Sequence, residues 1–406
     1  MKKILPFLFP FLFCCIDNPS SYIVFSPEKD GYKVFRIVSL LQHKNYLIAI
    51  TEGRESYSDH GNIDLILKVS SDNGNSWGPT QMICDYRNGT CGTPAAVSYK
   101  DKFFIMMNIN TNNSSLKDIK NGSGERRTLI VEGTIYNGSA LLTIPKDITE
   151  QIKPKDMNWD AIGPGNGIVT SDGIIIMPAI RRNIISVDGG KTWFYEMVIP
   201  DGPKTNESSI VELSNGSLLR ADRPNEPSYE NWHTWKYRKP TTMGVWNGYN
   251  WDWTPYYYQP DLIVSGHRCD ECSDNAETCK KCIAGCYLAG IKEENCEEQK
   301  GIHCQSSLGR IGKRLFITAP GSAKDRVKLT LYLSDNEGKT WYKYGIIHHG
   351  RSGYSSATVL NNDDNILGVL YEAVVDGKGC VFAQQHEIHF KKVFLTNEQE
   401  SDAGHE

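Results

Sequence analysis

The chain has 406 residues, a formal net charge of −4 and 23 % charged residues. That length can bury a large core. The mild charge, with no basic tract, gives nothing that points to a nucleic-acid partner, and none is expected. Met1-Lys2-Lys3 leads into ILPFLFPFLFCC, a basic start and an apolar run too short to span a bilayer. This predicts a signal peptide over residues 1–18, cleaved near Cys15 to Pro19, and a secreted or extracellular protein, with cell-surface or lysosomal and vesicular placement as variants. A buried first strand and a lipid-anchored Cys14 or Cys15 are weaker readings, because lysines, prolines and large Phe residues crowd the run. No other run is apolar enough to cross a membrane, and residues 396–406 form a polar tail.

From residue 19 to 395 the chain alternates short apolar runs with polar turns. FRIVSLL, YLIAITEG, DLILKVS, KFFIMMNI, TLIVEGTIY, GIIIMPAI, SSIVELS, RLFITAP, KLTLYLS and ILGVLYEAVV read as strands. Three turns share one pattern: Ser70-Ser-Asp72-Asn-Gly74-Asn-Ser76-Trp77, Ser186-Val-Asp188-Gly-Gly190-Lys-Thr192-Trp193 and Ser334-Asp-Asn336-Glu-Gly338-Lys-Thr340-Trp341. The Asp or Asn bonds nearby backbone N–H groups, Gly takes the left-handed position, and Trp packs back on the strand. A repeated strand–turn–strand unit predicts a propeller or an array. At about four strands per blade, the strand density fits an all-β, six-bladed β-propeller. Its uneven turns include a decayed one at Trp246-Asn-Gly248-Tyr-Asn-Trp251. The last strand is expected to pair with the first blade, removing exposed edges.

Residues 267–304 break the pattern, with seven cysteines and no apolar alternation. They predict a cysteine-rich insertion within the propeller. The pairs Cys269-x2-Cys272 and Cys279-x2-Cys282 admit zinc, but their close separation and an oxidising compartment favour disulfides. Ten cysteines remain once Cys14 and Cys15 leave, an even number, with Cys84 and Cys91 pairing around a short loop. Sequons stand at Asn88, Asn113, Asn121, Asn137, Asn206 and Asn215.

The three turns are Asp-boxes, and the chain resembles the sialidase (neuraminidase) family from Phe35 to Glu372, the insertion excepted. The resemblance implies three arginines that clamp a sugar carboxylate, because planar guanidinium binds both oxygens at once. They match Arg36 in Phe-Arg36-Ile-Val (where the family has Phe-Arg-Ile-Pro), Arg223 after IVELSNGSLLRAD, and Arg326 before KLTLYLSDNEGKTW. Tyr354 in Ser-Gly-Tyr354-Ser-Ser matches the nucleophile and Glu207 the base that activates it. A neutral tyrosine avoids the repulsion a carboxylate would meet at a carbon already bearing one. Asp59 in Asp59-His-Gly-Asn-Ile-Asp64 matches the acid, with Asp64 as its less favoured rival. Arg54 matches a substrate contact, Glu372 the residue that orients Arg36, and Asp160 before the Gly163-Pro-Gly165 loop a polar group of the pocket.

The resemblance thus implies a retaining exo-α-sialidase acting on sialylated glycoproteins, glycolipids and oligosaccharides, with no metal or organic cofactor. Two rivals stand beside it. A trans-sialidase would use the same residues and an acceptor platform drawn from WHTWKYRKPTTMGVWNGYNWDWTPYYY. A sialic-acid-binding lectin or adhesin would be expected to lose Tyr354, Glu207 or Asp59, which are all present. The insertion offers a further contact to protein or glycan.

Overall fold

A computed structural model describes residues 21–199, 205–224, 238–247, 250–263, 304–322, 326–360, 365–374 and 386–395. The expected signal peptide, the insertion up to residue 303, Cys380, the polar tail and residues 232–237 and 248–249 of the Trp232–Tyr258 aromatic run lie outside the described residues. The described residues are nearly all β, at 60 % strand and 6 % helix.

Six antiparallel four-stranded blades can be followed among the described residues. The first is built of Val34–His43, Tyr46–Arg54, Ile63–Ser70 and Gln81–Cys84. The second is Thr90–Tyr99, Lys102–Asn110, Arg126–Tyr136 and Ser139–Leu142. The third is Ile168–Val169, Ile175–Ala179, Arg182–Ser186 and Phe194–Met197. The fourth contains Thr205–Glu212, Leu218–Pro224, Arg238–Trp246 and Trp251–Trp253, with Tyr257–Ile263 also paired to its third strand. The fifth, Ser307–Ile311, Arg314–Pro320 and Val327–Ser334, ends in the first half of the long strand Tyr342–Val359. The second half of that strand opens the sixth blade, followed by Ile366–Val374 and His386–Phe394.

The ring closes differently from expectation. The N-terminal strand Tyr22–Phe25 adds to the outside of the last blade, Tyr22 facing Phe390. The last strand does not join the first blade. The first and last described strands therefore share one sheet, and the edge of His386–Phe394 is covered.

Apolar side chains explain why these strands read as nearly continuous hydrophobic runs. Each blade buries both faces, one on each neighbour. In Ile63–Ser70, Leu65, Leu67 and Val69 enter a cluster shared with the second blade, while Ile66 enters one shared with the sixth. Similar clusters fill the interfaces between blades two and three, three and four, four and five, and five and six.

The three repeated turns join third and fourth strands of blades one, three and five. Each makes the same bonds. In the middle copy Gly190 N donates to Ser186 Oγ at 2.8 Å and Thr192 N to Asp188 Oδ1 at 3.0 Å. The other copies repeat both contacts. Each turn also wedges against the preceding blade: Trp77 meets Phe390 edge-on at 5.6 Å, and Trp193 meets Phe104 at 5.6 Å. A Cβ on Gly190, at φ 86°, would lie 2.1 Å from Phe104 Cζ, so handedness and space both demand glycine there. In blade four the same place is taken by the Trp246–Trp251 turn, whose cross-strand rings are 4.7 Å apart.

Candidate active site

In an antiparallel blade, the start of strand one, the end of strand two and the start of strand three share one end. Arg36, Glu207 and Tyr354 stand at starts of innermost strands. Arg54, Arg223 and Glu372 stand at ends of second strands, and Arg326 immediately precedes the third strand Val327–Ser334. The site residues therefore gather at one end of the propeller, opposite the three repeated turns. Innermost strands are also bulged where a site residue leaves: between Arg36 and Val38, between Thr205 and Ser208, and between Ser352 and Ser355. A bulge re-aims a side chain out of the pleat.

Tyr354 is the focus of the cluster. It is buried, and its hydroxyl donates to Glu207 Oε1 while accepting from Arg223 Nη1 at 2.8 Å. The same Arg223 nitrogen reaches the Glu207 oxygens at 2.8 and 2.9 Å. The guanidinium carbons of Arg36 and Arg326 each lie 5.7 Å from the centre of the Tyr354 ring. All three arginines thus converge on one tyrosine, though Arg223 is 131 residues from it in sequence.

Protonation follows from these neighbours. Burial, then the Glu207 charge, pushes the Tyr354 phenol far up despite Arg223 and Arg326. Burial would raise Glu207 too, but Arg223 and the Tyr354 hydrogen bond hold it below the usual carboxylate range. The resting pair is therefore phenol and carboxylate, with the proton already directed at Glu207.

Glu372 fixes two elements at once. Its Oε1 accepts from Ile37 N at 2.8 Å and lies 3.6 Å from Arg36 Nε, while Oε2 accepts from Tyr354 N at 3.0 Å. A Cβ at residue 353 would lie 1.9 Å from Glu372 Oε2, which is why the tyrosine follows Gly353. Asp59 hangs from the 55–62 loop with 71 % of its side chain accessible; its Oδ1 accepts from Arg36 Nη1 at 3.1 Å and Arg54 Nη1 at 2.8 Å. Asp64 turns away, accepting from the Tyr32 hydroxyl at 2.7 Å.

Two findings differ from or add to the sequence reading. Asp160 does not line the pocket. It is fully buried, with Oδ1 and Oδ2 each 2.8 Å from the Arg182 guanidinium, because that equally buried cation needs a partner. Glu52, not singled out above, accepts from Arg54 Nε at 2.7 Å and from Thr93 N at 2.7 Å, bridging blades one and two behind Arg54. Its signal was present: in Glu52-Gly-Arg54 the i, i+2 spacing puts both charges on one face of a strand. Cys304 enters the core cluster that contains Tyr354. Cys84 and Cys91 form a disulfide beside the Asp59 loop, where Thr90 Oγ1 donates to Gly61 O at 3.2 Å. Among the described residues no group of three His, Cys, Asp or Glu is placed to hold a metal, and no helix is long and apolar enough to cross a membrane.

No family model matches the chain. The exo-alpha-sialidase of Aspergillus fumigatus is 30 % identical over 232 residues, covering 50 % of this chain and 56 % of that protein. The chain thus spans little more than half the length of that relative. The sialidase of Paraclostridium sordellii is 27 % identical over 393 residues, covering 88 % of this chain and 86 % of that one. A solved structure of Trypanosoma rangeli sialidase in complex with sialic acid matches with a TM-score of 0.65 at 17 % identity, over 92 % of this chain and 58 % of the other. That likeness speaks for the fold. Fold and site together define a six-bladed β-propeller with three arginines gathered around a buried tyrosine–glutamate pair at one end. The sequence matches make the chain similar to sialidases.

Proposed function

We propose that the protein is an exo-α-sialidase that hydrolyses terminal sialic acid from glycans with retention of configuration. The observation that supports this most directly is the convergence of Arg36, Arg223 and Arg326 on a Tyr354 already bonded to Glu207. The arginines bind the sugar carboxylate and hold the anomeric carbon over the phenol oxygen. Glu207 takes the phenol proton as that oxygen attacks. Asp59 gives a proton to the glycosidic oxygen, and the aglycone leaves as an alcohol. Water, deprotonated by Asp59, then attacks the anomeric carbon of the tyrosyl sugar. Tyr354 leaves and recovers its proton from Glu207. We place the protein in a secretory or extracellular compartment, a reading supported by the basic-apolar N-terminus and the Cys84–Cys91 disulfide.

Proton NMR of sialyl-lactose hydrolysis tests the reading. The α anomer of free sialic acid should appear first and then mutarotate. First appearance of the β anomer would overturn retention, and sialic acid passed to added lactose in preference to water would make the protein a transferase. Asp59 has its own test. An acid matters most when the leaving group is poor, so Asp59→Ala should lose about 10²–10⁴-fold in kcat on sialyl-lactose but far less on an aryl sialoside with an activated phenol. Equal losses on both would remove Asp59 as the acid.

A further inference from the structure

Asp59 poses a problem that the proposed reaction does not answer. An acid must carry a proton when the glycosidic bond breaks, yet a single Asp59 oxygen is gripped by two guanidinium groups, Arg36 at 3.1 Å and Arg54 at 2.8 Å. Arg54, Arg36 and then Arg326 hold its carboxyl far below the usual range. Glu372 already serves Arg36 from the other side, at Nε, and is itself buried. Asp59 thus holds the Nη1 end of Arg36, away from Glu372. Asp59 is also suited to yield it. Its side chain is largely accessible, whereas those of Arg36 and Arg54 are only 6 % and 3 % accessible.

We infer that, before substrate binds, Asp59 holds the place on Arg36 that the substrate's carboxylate takes, and that the substrate arms its own acid by displacing it. On this reading, which rests on the proposed function, the sugar carboxylate takes Arg36, and Asp59 loses one of its two cationic partners. It then faces a fresh negative charge at the same anomeric centre. Both changes favour the protonated carboxyl. One proton passes from solvent to Asp59 while the ligand's carboxylate stays ionised, and in catalysis that proton goes to the glycosidic oxygen. Acid catalysis is thereby reserved for sugars carrying an anion at the anomeric carbon. Specificity is then set in the proton transfer as well as in binding. The charged groups facing Asp59 are Arg36 and Arg54, with Arg326 further off. Behind these stand Glu372 on Arg36 and Glu52 on Arg54, and Arg126 also lies within electrostatic reach of Asp59. The same loop carries Glu55, paired with Lys33 at 3.6 Å, Tyr57, and His60, bonded to Ser58 Oγ at 2.8 Å; His60 is the imidazole that needs a control.

The test is calorimetric titration of the full chain at about pH 6, in buffers of different ionisation enthalpy, with 2,3-didehydro-2-deoxy-N-acetylneuraminic acid and its C1 carboxamide as probes. The expected result is an uptake approaching one proton per bound acid and none with the amide. Affinity for the acid should fall by up to about tenfold per unit rise in pH while that uptake lasts, since a linked proton changes the constant by its own stoichiometry. Asp59→Asn should abolish the uptake, flatten the pH dependence and tighten binding of the acid at neutral pH, because the internal competitor is gone. His60→Asn should keep the uptake. Absence of uptake in the wild type, or uptake that persists in both Asp59→Asn and Asp59→Ala, overturns the inference. If the amide does not bind, the Asp59 variants decide the question alone. Failure of the functional reading would look different: no sialoside turnover and no binding of the acid at all.

Discussion

Tyr354→Phe is expected to lower kcat on a fluorogenic sialoside by at least about 10³-fold, the scale on which a covalent nucleophile matters. The substitution removes one oxygen. What remains should stand: Arg223 still meets both Glu207 oxygens at 2.8 and 2.9 Å, and Glu372 still holds the backbone N–H of residue 354. The variant should therefore melt close to wild type and bind the unsaturated sialic acid analogue with little loss, while its turnover collapses. The chemistry of the pair sets the size of the effect. A phenol has an ordinary pKa of about 10, and burial beside Glu207 pushes this one higher, so free phenolate is not the attacking species. Attack and proton transfer to Glu207 must occur together. A difluorosialyl fluoride should label Tyr354 in the wild type, with the adduct located by mass spectrometry of peptides. Activity in Tyr354→Phe within tenfold of wild type, or a label on another residue, would remove the tyrosine from the reaction.

Legibility in the sequence tracked the distance over which each feature acts. The three repeated turns could be read in full, because their hydrogen bonds span four residues and depend on local turn chemistry. Strands could be read as apolar runs, since both faces of a blade are buried. The direction of ring closure could not. Nothing in Tyr22–Phe25 distinguishes a strand that joins the last blade from one that opens the first. Arg36, Arg223, Arg326, Tyr354 and Glu207 were found through resemblance to a family. No periodicity predicts that Tyr354 meets Glu207, 147 residues away. Asp160 shows how such a reading goes astray. It precedes a loop that packs at the propeller centre, where Ser39 Oγ bonds Gly165 O at 2.8 Å. Its carboxylate nonetheless points to a cation on the next blade. Sequence position placed the backbone, but an unforeseen buried arginine decided the side chain. Glu52 was the opposite case: the pattern that would have revealed it was visible, and only the depth of its burial was not.

Asp160→Ala should therefore act on stability, with an expected cost of about 3–5 kcal/mol, the range for breaking one side of a buried ion pair. Asp160 and Arg182 have fully buried side chains and meet through two contacts of 2.8 Å. Arg182 Nε is spent on Ile152 O at 2.8 Å, and Arg126 and Lys153 add positive charge nearby. Alanine would leave that positive cluster in the core without its anion, which is costlier than losing the hydrogen bonds alone. Asp160→Asn, which keeps an acceptor for Arg182, should fall between alanine and wild type. Dependence on pH supplies a sign. Burial pushes the Asp160 carboxyl up, but Arg182 outweighs it and holds the folded-state value below the ordinary one. The stabilisation is thus fully present above about pH 4, the usual aspartate range, and is lost as pH falls through the lower folded value. Urea denaturation midpoints of wild type and Asp160→Ala should differ widely at neutral pH and converge in acid. At temperatures where the variant stays folded, its KM for a sialoside should match wild type, since the carboxylate does not reach the pocket. A raised KM with an unchanged midpoint would instead return Asp160 to the binding site and leave Arg182 without its assigned role.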